Sequence, residues 1–161
     1  MSDSGSGAER VVLRAVESRD IPALFQFQLD PDSNRMAIAN PREAEPFRLH
    51  WEEILRDASV VARVILLDDQ LVGNISCFKL EGLDSVGYWI AKEHWGKGIA
   101  TRALRLLLDA VALRPLHARA ARSNAASIRV LEKCGFRIAG YEWVKATDRF
   151  PACEEARLVL D

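Results

Sequence analysis

The order of apolar and polar positions divides the chain into short extended runs and longer helical ones. Val11, Val12, Leu13 and Val16 form a strand that stops at Ser18, Arg19 and Asp20, where a cap and then Pro22 open a helix through about Leu29. From Asp30 to Pro46 the prolines Pro31, Pro41 and Pro46 interrupt the pattern, predicting a loop and then the start of a second helix with Phe47 and Trp51 on one face. Residues 60 to 80, VVARVILLDDQLVGNISCFKL, are rich in β-branched side chains, and Asp68 and Asp69 between the two halves predict a hairpin turn. LDSVGYWIA, residues 83 to 91, predicts a further strand in which Val86, Tyr88 and Ile90 alternate onto one face.

The second half alternates strand and helix. A helix is expected from residue 99 to about Leu113, with Arg102, Arg105 and Asp109 as its narrow polar stripe. LHARAAR, residues 116 to 122, predicts a strand, and SNAASIRVLEKCG a capped helix stopped by Gly135. FRIAGYEWV and EEARLVL add two more strands, giving an α/β (mixed α+β) fold.

Composition narrows the functional classes. At 161 residues the chain fits one domain, and MSDSGSGAER at its start reads as a flexible tail over residues 1–9 before a domain over 10–161. Apolar residues make up 49% and the net charge is −1, so long-range attraction for a polyanion is weak and nucleic acid is not the expected partner. No stretch stays apolar long enough to span a bilayer, so a membrane is not expected either. Cys77, Cys134 and Cys153 lack paired spacing and fit thiols of a reducing, cytoplasmic protein. His50, His94 and His117 are equally scattered, and no metal is expected.

The segment HWGKGIAT, residues 94 to 101, carries the strongest chemical signal. It is not a nucleotide triphosphate loop, because Gly98 rather than Ser or Thr follows Lys97 and the required earlier glycine is missing. Nor does it match GxGxxG, whose third glycine falls on Thr101. What remains is a glycine-bearing strand-to-helix turn, where the unpaired N–H groups and positive dipole end of a helix, with Lys97 beside them, favour a pyrophosphate. The same turn also suits a chain with no ligand there.

Together, YWIAKEHWGKGIATRAL and SNAASIRVLEKCGF resemble the GNAT superfamily of N-acetyltransferases, and within it the branch containing ribosomal-protein N-terminal acetyltransferases. The resemblance spans most of the chain and is most specific over residues 87 to 136. It implies a single domain with a central, mostly antiparallel twisted sheet of six to seven strands and about four helices. The family's acetyl-CoA signature, Gln or Arg, two residues, Gly, one residue, Gly or Ala, falls on Trp95, Gly98 and Ala100; the tryptophan departs from it but is common in this branch.

The resemblance implies that the amides of Gly96, Lys97, Gly98, Ile99, Ala100 and Thr101 hold the pyrophosphate of CoA. It places the pantetheine arm along the strand end near Ile90, with Asn124 bonding the arm and Ser127 near the thioester sulfur. Helix capping is the alternative reading of Asn124 and Ser127. The expected activity is acetyl transfer from acetyl-CoA to a primary amine, on a small molecule or a protein N-terminus. The Ile90 backbone N–H is the candidate oxyanion donor and Ser127 the candidate donor to the departing thiolate.

The tyrosine that usually protonates the thiolate aligns with Leu131, so Tyr88 and Tyr141 enter as substitutes. The usual glutamate base aligns with Ser85, which leaves Asp84, Glu81, Glu142 or no base at all. These two departures keep open a CoA-binding sensor or interaction module of reduced activity. Residues 30 to 51 are expected to form the lip over the acceptor site, and the sequence carries no signal for oligomeric state.

Overall fold

Each side of the β-rich segment 60 to 80 becomes one arm of a hairpin, because Asp68 and Asp69 both adopt positive φ, 48° and 68°. A two-residue loop of this kind matches the twist of paired strands, and it joins β2 (Val61–Leu67) to β3 (Gln70–Leu80) with Leu67 opposite Gln70. Glu81 and Gly82, at φ 51° and 80°, repeat the device between β3 and β4 (Leu83–Ile90). These positions belong to a computed structural model that describes residues 9–161, so the tail expected over residues 1–9 lies, but for Glu9, outside the described residues.

The remaining elements are β1 (Val11–Ala15), α1 (Ile21–Phe27), α2 (Pro31–Ala37), α3 (Ala44–Arg56), α4 (Ile99–Ala110), β5 (Leu116–Ala121), α5 (Ala125–Lys133), β6 (Arg137–Val144) and β7 (Cys153–Leu160). The seven strands form one sheet in the order β1-β2-β3-β4-β5-β7-β6. Every neighbouring pair is antiparallel except β4 and β5.

Helices cover both faces. Ile65, Ile75, Leu116 and Leu158 of the sheet are buried against Ile99, Leu104 and Leu107 of α4 and Leu131 of α5. On the opposite face Ala62 and Val64 of β2 pack with Ile21 and Leu24 of α1 and Phe47 and Trp51 of α3. Because Val64 and Ile65 are adjacent in β2, the two cores lie back to back across one strand, as the period of two requires.

Two expectations need correction. Pro31 does not open a loop; it takes the first position of α2, where a missing N–H costs nothing, and Asp30 caps that helix by accepting from Ser33 N at 2.7 Å and Ser33 Oγ at 2.8 Å. Among the described residues five α-helices flank the sheet, in keeping with the expected fold. The helix expected to reach Leu113 ends at Ala110, with Arg114 donating to the Val111 carbonyl at 2.9 Å just beyond it.

The junction of β1 and α1 depends on an ion pair. Both oxygens of buried Asp20 receive the Arg14 guanidinium at 2.8 Å, and Oδ2 also accepts from Glu17 N at 2.8 Å. The Arg14 hydrogen bond holds the Asp20 carboxyl below the usual carboxylate range against the opposing effect of burial. Asp20→Asn is expected to lower stability by about 2 kcal/mol at pH 7 in urea unfolding. The contribution is present above the unfolded carboxylate pKa, roughly 3.9, and is lost as the pH falls through the depressed folded value, so the gap between wild type and variant closes in acid.

Candidate active site

The site begins with an incomplete ladder. Strands β4 and β5 run parallel, but their register holds a single pair, Ser85 with His117, near the start of both strands. Ala91 donates to the Val72 carbonyl at 2.8 Å, which fixes the phase of the β3–β4 ladder. Alternation along β4 then turns the backbone groups of Tyr88 and Ile90 away from β3, toward the gap. The Ile90 carbonyl accepts from the Trp95 indole at 2.9 Å, leaving the Ile90 N–H facing the gap without a β5 partner. This accounts for a tryptophan at position 95: its N–H reaches back to the strand.

The gap is continuous with a cavity of about 220 Å³. Tyr88, Trp89 and Ile90 form its sheet side, Asn124, Ala126, Ser127 and Val130 its α5 side, and Trp95 and Gly96 its mouth toward the loop. Ser33, Met36 and Ala37 of α2 close the remaining side, so part of the expected lip, residues 30 to 51, does border the site. Lys92 and Arg35 both pair with Asp32, tying α2 to the segment after β4.

The glycine loop has the geometry of an anion cradle. Gly96 and Gly98 adopt φ of 77° and 73°, while a Cβ at either position would meet nothing within 4 Å; backbone conformation, not space, requires glycine here. Gly98 is the N-cap of α4, and the first bond of that helix runs from Arg102 N to Gly98 O at 3.1 Å. Ile99, Ala100 and Thr101 therefore present amides without helical acceptors. Ile99 itself is buried and anchors this turn in the core, so only its backbone serves the loop. Arg102 braces the turn by donating to the carbonyls of Lys97 and Glu9, and exposed Lys97 lies 3.4 Å from His94 Nδ1.

On the other wall, Asn124 does cap α5: its Oδ1 accepts from Ser127 N at 3.2 Å. That bond uses the amide oxygen and leaves the NH2 group at the cavity wall. Ser127 Oγ lies 2.8 Å from the Tyr88 hydroxyl, which is also 3.2 Å from the Ser127 carbonyl. Burial pushes the Tyr88 phenol up to about 12, with the Ser127 bond opposing, so it is a neutral proton donor throughout the physiological range. This pairing joins residues 39 apart in the chain; the sequence offers Tyr88 as one of two substitute tyrosines, but nothing local pairs it with Ser127.

The other candidates separate from the site. Leu131, in the position of the usual acid, is 1% exposed in the core. Tyr141 is exposed on β6 with the Arg122 guanidinium 3.9 Å above its ring. Ser85 is buried and donates to the Leu83 carbonyl at 3.0 Å. Asp84 pairs with Lys79 at 3.1 Å, Glu81 with Arg119, and Glu142 with Arg157 at 2.7 Å. None of these carboxylates lines the cavity. Of the thiols only Cys77 is fully buried; Cys134 and Cys153 are half-buried.

A family model described as "Acetyltransferase (GNAT) domain" matches residues 10–137. The putative ribosomal N-acetyltransferase YdaF of Bacillus subtilis is 30% identical over 144 residues, 80% of this chain and 78% of that protein. Mycobacterium smegmatis RimJ, solved in complex with CoA-disulfide, shares 26% identity with a TM-score of 0.72 over 93% of this chain and 81% of its own. The spermidine N-acetyltransferase of Vibrio cholerae, solved with CoA and spermine, has the same fold at 19% identity, with a TM-score of 0.80 over 93% of this chain and 94% of its own.

Proposed function

The chain belongs to the GNAT acetyltransferase family, and on that premise we propose that it is a cytosolic enzyme moving the acetyl group of acetyl-CoA to a primary amine, with its chemistry at the Tyr88–Ser127 pair. Acetyl-CoA supplies an acyl group already activated as a thioester. The cleft suits it: a cradle of free amides at one end, an unpaired strand edge in the middle and a half-buried hydroxyl pair at the other end.

In this reading the amides of Gly96 to Thr101 and the Lys97 ammonium hold the pyrophosphate. The free edge of β4 and the Asn124 NH2 group bond the two amides of the pantetheine arm, as an added strand would. The Ile90 N–H stabilises negative charge developing on the carbonyl oxygen; it is preorganised because Trp95 already holds the carbonyl of the same residue. Either hydroxyl of the 2.8 Å pair can donate; with Tyr88 as the donor, Ser127 Oγ–H is free to donate to the departing sulfur. A phenol near 12 does not surrender its proton to a thiolate whose conjugate thiol titrates near about 8.5. Tyr88 thus polarises Ser127 as a positioning residue.

The acceptor amine enters neutral, since no carboxylate lines the cavity. The N–H proton it loses as the C–N bond forms and the C–S bond breaks passes through Ser127 Oγ to the departing sulfur, which leaves as the free thiol. The expected pH profile of kcat/KM therefore rises with deprotonation of the acceptor and then stays flat through about pH 10, because Tyr88 remains protonated there. Shifting to an amine of lower pKa should move the rising limb with it. A limb that stays near pH 6 for every amine would instead reveal a base on the protein.

The observation that carries turnover over mere CoA binding is the Tyr88–Ser127 hydrogen bond at the cavity wall, where the sequence had lost its usual acid. Pure protein, acetyl-CoA and a panel of small amines and N-terminal peptides are to be assayed for thiol release, with mass spectrometry of the acceptor. Amine-dependent release with an acetylated product is expected. CoA binding with no release for any amine would return the sensor reading.

A further inference from the structure

Beyond the α2 side of the cavity, segment 38 to 42 and the β6–β7 turn carry two arginines, Arg42 and Arg149, with no ion-pair partner among the described residues. Segment 38 to 42 leaves α2 directly after Ala37, a cavity residue, and is zipped to the β6–β7 turn. Asn40 N donates to the Arg149 carbonyl at 2.7 Å, Asn40 Nδ2 to the Asp148 carbonyl at 3.1 Å, and the Arg149 guanidinium returns a bond to the Asn40 carbonyl. Buried Gln28 fixes the Arg42 backbone from both sides, accepting from its N–H at 2.8 Å and donating to its carbonyl at 3.0 Å. Both guanidinium groups thus rise from ordered backbone.

Positive charge outweighs negative around them, with Glu53 opposing the two arginines only at His50. Arg42 and Arg149 are half-buried, yet neither forms a salt bridge among the described residues. Arg149 Nε is buried without any hydrogen-bond partner, and the group lies 5.1 Å from the centre of the exposed Phe150 ring. Burial and then Arg42 pull the Arg149 guanidinium down to about 10, and His50 is lowered by burial, Arg42 and Arg149. Desolvated cations of like sign are unfavourable unless an anion joins them. Meanwhile three of the four acidic residues between 30 and 45 are engaged elsewhere: Asp30 caps α2, Asp32 pairs with Lys92 and Arg35, and Glu45 pairs with Arg48, while Glu43 is exposed at the start of α3.

Topology puts this pair at the open end of the cleft. Ala121 at the end of β5 pairs with Glu155 near the start of β7, so the turn bearing Arg149 stands at the end of the sheet where β4 and β5 diverge. From Ala37 to Asn40 the chain spans at most about 11 Å. An extended peptide, at roughly 3.3 Å per residue, covers that distance in three or four residues.

Resting on the acetyltransferase reading above, we infer that the acceptor is a peptide N-terminus followed within a few residues by an acidic side chain, which Arg42 and Arg149 bind. A cationic polyamine would meet like charge at this position.

The test uses two peptides identical except for Glu or Gln at positions roughly three to five. Kd is measured by calorimetry, independently of turnover, and kcat/KM by thiol release. Wild type is expected to favour the Glu peptide by about tenfold or more in both, mainly through Kd and KM. The ratio should collapse toward one in Arg42→Gln/Arg149→Gln, and Arg149→Glu should reverse the preference toward a Lys-containing peptide. That gain is a result a misfolded variant cannot give. Equal binding of the Glu and Gln peptides to wild type would overturn the inference even if both are acetylated. A preference that survives both substitutions, or a loss confined to KM for acetyl-CoA, would overturn it too, the latter by assigning the arginines to a cofactor phosphate. Selective binding without any thiol release would uphold the acidic-peptide site while removing the acetyltransferase reading.

Discussion

Gly98→Trp is expected to weaken acetyl-CoA binding by at least roughly 100-fold, about 3 kcal/mol, and to remove turnover at ordinary cofactor concentrations. Two effects combine. Gly98 sits at φ 73°, where an L side chain is strained by about 1–2 kcal/mol. The indole would also stand over the amides that begin α4, since nothing else occupies the space around this position. Gly98→Ala separates the two, because it carries the strain without the bulk and should lose far less. Calorimetry with CoA, beside thermal unfolding of each variant, reads both. The strain common to both variants is expected to lower the melting temperature of each by roughly 2–8 °C, so a difference in CoA affinity between them reads the bulk alone.

Ser127→Ala is expected to lower kcat by about 100-fold with little change in KM for acetyl-CoA, the range for losing one well-placed proton donor. The helix survives the change, because the Asn124 cap bonds the backbone N–H of Ser127 and not its hydroxyl. Tyr88→Phe should cost less, about tenfold, as Ser127 keeps its own proton but loses the bond that polarises it. The double variant is expected to match Ser127→Ala alone, since residues acting in series are not additive. Tyr141→Phe, on the exposed face of β6, should leave the rate unchanged. Additive losses at 88 and 127 would mean that the two hydroxyls act independently.

The geometry of the turn proposed to hold the cofactor was legible because it is local. A strand, two glycines and the start of a helix lie within about a dozen residues, and their meaning follows from backbone conformation and unpaired amides. The β2–β3 hairpin was legible for the same reason, its turn residues and alternation being adjacent. Helix α2 was misread although Asp30, Pro31 and Ser33 spelled out a capped first turn; proline was weighed as a breaker where its position made it a starter. The Tyr88–Ser127 pair and the Asn40–Arg149 contact join residues 39 and 109 apart, and no periodicity encodes these. The missing tyrosine shows the limit most clearly. At position 131 the sequence presents a loss and offers Tyr88 and Tyr141 alike as substitutes, whereas folding brings Tyr88 to Ser127 and leaves Tyr141 exposed on β6.

The most direct measurement is a crystal structure of the protein with acetyl-CoA. The account predicts the pyrophosphate oxygens within hydrogen-bond distance of the amides of Ile99, Ala100 and Thr101, the thioester oxygen on the Ile90 N–H, and the sulfur beside Ser127 Oγ with an open path to Arg42 and Arg149. A pyrophosphate bound away from the 96–101 loop, or a sulfur sealed from the cavity that Tyr88 and Ser127 share, would contradict it.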